Sequence, residues 1–305
     1  MNRIGIVAIA FVSTTHLWAG SAKQDPGQIG RRNVAGGVNF YSLEKETALG
    51  RELSIDLERA SQILWDPVIT EYVNRLGQNL ARNSDAKFPI TIKVIRSEEV
   101  NAQALPGGFL YINTALILTA ETEAQLAGAM AHEIAHVAAR HGTRQATRGT
   151  IFEYGSIPLV LMGGWAGYAV REGARIAIPI ALAKFSRGAE AEADMLGLQY
   201  MYSAGYDPAA YVEFFETLET LNRHEKTSAF ASFLANHPRV RDRLRSTQKQ
   251  IQKSLAPREE YVYQTSEFAN VRARLQLIEK GRSVPWVSYT PPADTDVRPV
   301  LKRRD

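Results

Sequence analysis

The sequence predicts an α+β fold, mostly helical with one small twisted sheet and no transmembrane helices. Three observations carry that expectation. Apolar residues recur at helical spacing over most of the 305 residues, with capping residues at several segment starts. One region, 90–113, instead alternates with a period of two around a Pro-Gly-Gly turn. No uninterrupted apolar window reaches the ~20 residues that a bilayer-spanning helix needs.

The elements follow in order. Arg3, the apolar stretch Ile4 to Val12 and the small residues Ala19, Gly20, Ser21 and Ala22 predict a signal peptide over 1–22, cut after Ala22 or after Ala19. Residues 23–41, with Gly27, Gly30, Gly36 and Gly37, read as an extended N-terminal segment. From Ser42 a helix carries Leu49, Leu53, Ile55, Leu57 and Ile63. Asp66 caps a second helix whose first position is Pro67; it runs through Val68, Tyr72, Val73 and Leu76 towards Arg82. Ile90, Ile92 and Val94 alternate with Thr91 and Lys93 as a strand. Asn101–Leu105 and Phe109–Asn113 form a second extended pair around Pro106-Gly107-Gly108, although alanine-rich 101–105 has poor intrinsic strand propensity.

Thr122 and Gln125 form a capping box for the longest clean helix, which carries Leu126, Met130, Ile134 and Val137 and which Gly142 can end. The apolar, glycine-bearing stretch 151–183 is interrupted by Arg171, Glu172 and Arg175, and reads as buried helices over the site, with membrane-surface contact left open. Further helices run from Ala189 to Gly205, and from Asp207-Pro208 to about Lys253. A last one begins near Ser266, carries Phe268, Val271, Leu275 and Ile278, and ends at Gly281. Pro285, Pro291, Pro292 and Pro299 predict an extended or poorly ordered tail. The expected organisation is a main domain over 42–250 and a C-terminal extension over 251–305, with one helix and a Pro-rich basic tail.

Composition excludes several functions. The chain has no cysteine, so it has no disulfide framework, Cys-ligated zinc, Cys nucleophile or lipoprotein anchor. Apolar residues at 45% and charged residues at 22% suit an ordinary globular protein. The net charge of +4 is spread along the chain and not concentrated in a block, and no nucleic-acid partner is expected.

The chemistry concentrates in His132-Glu133-Ile134-Ala135-His136. On a helix, His132 and His136 share one face, so both imidazoles can meet one zinc ion. Glu133, one step round, is placed to act as general base on a water. Zinc lowers that water's pKa and polarises the scissile carbonyl. A catalytic site needs a third ligand. Glu190 and Asp194 lie four apart on a second helix, so one can bind the metal while the other orients a ligand histidine. An acidic helix N-terminus is the bland alternative. Glu192 points elsewhere, towards solvent or an arginine. His141 falls on a different helical face from His136 and reads as structural or surface.

With Ser186-Arg187 before Glu190-Ala191-Glu192-Ala193-Asp194, with Asn101-Ala102-Gln103-Ala104 and Pro106-Gly107-Gly108, and with His237-Pro238 followed by Arg243, the chain resembles the Ste-type CAAX prenyl endopeptidase family over roughly residues 42–250, in its soluble periplasmic zinc metallopeptidase branch. The resemblance implies a zincin-like (gluzincin) fold and one Zn2+ per chain. It implies His132, His136 and Glu190 as ligands, Glu133 as base and Asp194 as the residue bracing a ligand histidine. In some relatives a histidine matching His237 is a removable fourth ligand that keeps the site latent; the other reading is a structural His-Pro turn. Asn101, Ala102, Gln103, Ala104 and Arg243 are the expected substrate-binding positions, the first four as a sheet edge for peptide backbone. Gln103 stands where relatives more often carry an aromatic.

The function expected is a zinc-dependent endopeptidase of the periplasm, or otherwise exported, acting on extended, unfolded or misassembled envelope proteins. The alternatives are a chaperone-like binding module with little proteolytic activity, against which the intact Glu133 speaks, and a small-molecule zinc hydrolase.

Overall fold

The computed structural model describes residues 22–154, 185–225, 237, 240–281 and 300–303. The expected signal peptide up to residue 21, the apolar stretch from residue 155 and the prolines at 285–299 lie outside them. The elements are α1 Leu43–Ala60, α2 Pro67–Arg82, β1 Thr91–Ile95, β2 Ala102–Leu105, β3 Phe109–Asn113, α3 Thr114–Thr119, α4 Glu123–Ala138, α5 His141–Tyr154, α6 Arg187–Ser203, α7 Ala209–Glu225, α8 Val240–Ser254, β4 Glu260–Gln264, α9 Ser266–Glu279 and β5 Val300–Arg303.

The helix starts follow local chemistry. The Ser42 hydroxyl accepts from the Lys45 amide to open α1, and the Asp66 carboxylate accepts from the Ile69 amide to open α2, with Pro67 where no amide donor is needed. Thr122 accepts from the Gln125 amide at the start of α4. The Gln125 side chain reaches back to the amide of Glu121, one residue before the cap. All 16 residues of α4 are buried. It is therefore a central helix with no solvent face, which accounts for its alanines: α2, β2, α6 and α7 pack around it.

The sheet order is β1-β3-β2, with β1 parallel and β2 antiparallel to β3. β2 is thus an edge strand. The Asn113 amide donates to the Asn101 carbonyl, so pairs 101/113, 103/111 and 105/109 carry the ladder bonds. The alternation turns the amides and carbonyls of Ala102 and Ala104 outward. Alanine is tolerated here because the pairing with β3 and the closeness of α4 set the conformation, not propensity. In the turn, Gly107 and Gly108 have φ of 75° and 96°. A Cβ on Gly108 would lie 2.3 Å from the Pro89 carbonyl oxygen, so glycine is required twice over.

One expectation changes. α4 stops at Ala138 and not at Gly142; Arg140 takes the left-handed conformation (φ 55°) and α5 begins at His141. The strain at Arg140 is offset by its guanidinium, whose Nε is 2.6 Å from buried Glu46 and whose Nη2 is 2.6 Å from the Tyr41 carbonyl. Within 251–305, α9 buries Phe268, Val271 and Leu275, and Arg274 forks onto Asp66 at the head of α2. The tail contributes β5, paired antiparallel with β4. Arg32, in the N-terminal segment, is buried against Asp85 at 2.9 Å and Gln199 at 2.6 Å. Among the described residues no helix is long and apolar enough to cross a membrane.

Candidate metal centre

α4 presents His132 and His136 one turn apart. α6 crosses it closely because residue 197 is glycine: a Cβ there would sit 3.1 Å from the Cα of His132. That approach brings the first turn of α6, capped by Ser186, against the two imidazoles and delivers Glu190. His237 completes the group. One donor atom each from His132, His136, Glu190 and His237 lies within 4.8 Å of the others, and all four residues are buried. His136 Nε2 is 3.1 Å from His132 Nε2, and His237 Nδ1 is 3.2 Å from His132 Nε2 and 3.1 Å from a Glu190 oxygen.

Burial and neighbouring charges pull the donors in opposite directions. Burial works against the charged form of His132, yet Asp194 and Glu190 raise its pKa to about 9. Burial, and then the neighbouring His132, holds His136 well below the usual histidine value. Burial would raise the Glu190 carboxyl, but hydrogen bonds to His132 and His237 hold it far below the carboxylate range. Three imidazoles and a carboxylate converging in a buried site suit a divalent transition metal.

A second layer braces these donors. His132 Nδ1 faces Asp194 at 3.2 Å and the Tyr211 hydroxyl at 2.9 Å, and that hydroxyl donates to Asp194. Arg243 forks onto Asp194 at 2.8 and 2.6 Å, and its Nη1 is 2.8 Å from Glu190. Glu133 is buried; its Oε2 accepts the outward amide of Ala104 at 2.9 Å, while Oε1 has no hydrogen-bond partner and lies 3.4 Å from His237 Nε2. Burial pushes its carboxyl up, partly offset by His237 and His132.

The structure thus brings His132, Glu133, His136, Glu190, Asp194 and His237 together, with the edge Ala102–Leu105 beside Glu133. Arg243, expected among substrate contacts, is engaged by two buried carboxylates. His141 is buried at 3.0 Å from His136, not a surface residue, because the turn at Arg140 folds it back. Glu192 pairs with Arg144, and also with Lys23 and His141. Sequence reasoning does not reach Tyr211: Asp207-Pro208 signals its helix, and nothing in the sequence signals the face it occupies.

The family model described as Peptidase family M48 matches residues 67–251. The beta-barrel assembly-enhancing protease of Escherichia coli (strain K12) is 30% identical over 251 residues, 79% of this chain and 50% of that protein. The putative beta-barrel assembly-enhancing protease of Vibrio cholerae is 30% identical over 277 residues, 87% of this chain and 56% of that protein. The mitochondrial metalloendopeptidase OMA1 of Schizosaccharomyces pombe is 28% identical over 252 residues, 74% of this chain and 72% of that protein. The chain spans about half the length of the bacterial relatives it matches.

Proposed function

This chain belongs to peptidase family M48, and from that premise we propose that it is a zinc-dependent endopeptidase hydrolysing peptide bonds of unfolded or misassembled cell-envelope proteins. The observation that carries the reading is Glu133 Oε1, a buried carboxylate oxygen with no hydrogen-bond partner beside four converging metal donors. A structural metal site has no use for such an atom; a hydrolase needs it as a base. The names of the bacterial relatives point to beta-barrel assembly. The signal-peptide pattern of residues 1–22 supports a periplasmic or otherwise exported location.

His132, His136 and Glu190 would hold the ion. Bound there, zinc would act as a Lewis acid that polarises the scissile carbonyl and acidifies water. The substrate backbone lies along β2, where the Ala102 amide and the Ala102 and Ala104 carbonyls point outward. The Ala104 amide is committed to Glu133 and fixes that side chain against the edge. Glu133 Oε1 takes the proton of the attacking water and passes it to the leaving amine. His237 makes the resting site latent: its Nδ1 is one of the four donors, and its Nε2 faces the oxygen that must accept the proton.

The test is cleavage of casein by the zinc-loaded chain beside Glu133→Gln and His237→Ala. Cleavage by the wild type or H237A, lost in the corresponding protein carrying E133Q with zinc retained, is expected. A gain in H237A supports latency. No cleavage by any of them with stoichiometric zinc refutes a general peptidase and leaves the binding-module reading.

A further inference from the structure

The two ligand histidines of α4 are braced differently. His132 Nδ1 meets a carboxylate directly, that of Asp194. His136 Nε2 faces Glu190, but among the described residues its Nδ1 meets no carboxylate directly. Its Nδ1 is 3.0 Å from Nδ1 of His141, and His141 Nε2 is 3.1 Å from Glu192. Glu192 is held in turn by Lys23 at 2.7 Å and Arg144 at 3.1 Å. Resting on the metallopeptidase reading above, we propose that His141 and Glu192 are positioning residues, a two-member relay that fixes the ring orientation and tautomer of His136.

The hydrogen bonding admits one consistent arrangement. His136 Nε2 faces the other donors, so its proton belongs on Nδ1. Two Nδ1 atoms can share a hydrogen bond only if one donates and the other accepts. His141 Nδ1 therefore accepts, and its own proton belongs on Nε2, where Glu192 receives it. The backbone is shaped for this contact. Arg140 adopts a left-handed conformation that breaks the helix between α4 and α5, and buried Glu46 holds it there. Without that break, His141 would continue α4 onto another face. The Phe185 ring stacks on His136 with centroids 3.9 Å apart, limiting the ring's tilt but supplying no acceptor.

The experiment measures zinc affinity of the full chain by chelator competition, and the absorption spectrum of its cobalt-loaded form, for His141→Phe, His141→Gln, Glu192→Leu and H141F combined with E192L. Loss of a bracing partner of this kind typically costs ~10–100-fold in metal affinity. H141F is expected to lose that much and to shift the cobalt spectrum. H141Q, whose amide oxygen can accept the same proton, recovers part of it. The double variant is no worse than H141F, because Glu192 acts through His141. Should H141F fail to fold, E192L tests the relay in its place, with the same loss and spectral shift expected. Wild-type affinity and spectrum in the single variants, or a thermal destabilisation equal in chelated and loaded protein with the spectrum unchanged, overturns the relay. A wild type that binds no metal overturns the peptidase reading itself, and the relay with it.

Discussion

Replacing Arg243 by leucine decides between two roles for that side chain. Its guanidinium makes three short contacts, two to Asp194 at 2.8 and 2.6 Å and one to Glu190 at 2.8 Å. All three side chains are at least nine-tenths buried. Leucine would fill much of the volume but take the guanidinium away from two buried carboxylates. Breaking a buried pair in this way costs ~3–5 kcal/mol. With ~2–4 °C of melting temperature per kcal/mol for a domain of comparable size, the expected drop is ~6–20 °C. Arg243→Lys can keep one contact but not the fork, and falls between. The assay is thermal unfolding followed by circular dichroism, on chelated and zinc-loaded protein, beside steady-state cleavage of a peptide. A guanidinium that contacts substrate predicts the opposite pattern, a raised KM at unchanged stability. An R243L melting temperature within ~2 °C of wild type, with the defect confined to KM, refutes the reasoning.

Gly197→Ala gains ~1 kcal/mol of helix propensity but places a Cβ 3.1 Å from the His132 backbone. Overpacking of ~1–3 kcal/mol outweighs that gain, so zinc should leave G197A faster in a chelator chase, with little change in far-ultraviolet circular dichroism. A peptide N-methylated at the amide that meets an outward carbonyl of β2 loses one hydrogen bond, ~0.5–1.5 kcal/mol, and its kcat/KM should fall by ~2–12-fold. An equal rate for the methylated peptide would count against edge pairing.

What is legible in the sequence is mostly local. The i, i+4 spacing of His132 and His136 needs only a helix to become a site, and caps such as Asp66-Pro67 act within one turn. The β2–β3 hairpin is visible through Pro106-Gly107-Gly108, where glycine supplies positive φ. Other features depend on contacts between distant segments. A continuous helix would carry His141 away from His136, and only the left-handed turn at Arg140, locked by Glu46 from 94 residues earlier, returns it. Arg243 carries no local mark of its partner, which lies 49 residues away. Tyr211 is one of many tyrosines until α7 is docked on α4. The pairing of β5 with β4 is hidden behind a proline-rich composition. Glu190 and Asp194 sit between these cases: their spacing is local, while their place beside His132 comes only from the family resemblance.

The donor set has a consequence for the order of events in folding. His132 and His136 meet as soon as one helix forms, but Glu190 reaches them only when a second helix distant in the chain, α6, packs against α4. Contacts so far apart form late, after chain entropy has been lost elsewhere. A nascent, truncated or half-folded chain therefore owns two imidazoles and no peptidase. Hydrolytic competence therefore waits on the packing of α6 against α4, and under the proposed function an unfolded copy of the chain is not an armed enzyme.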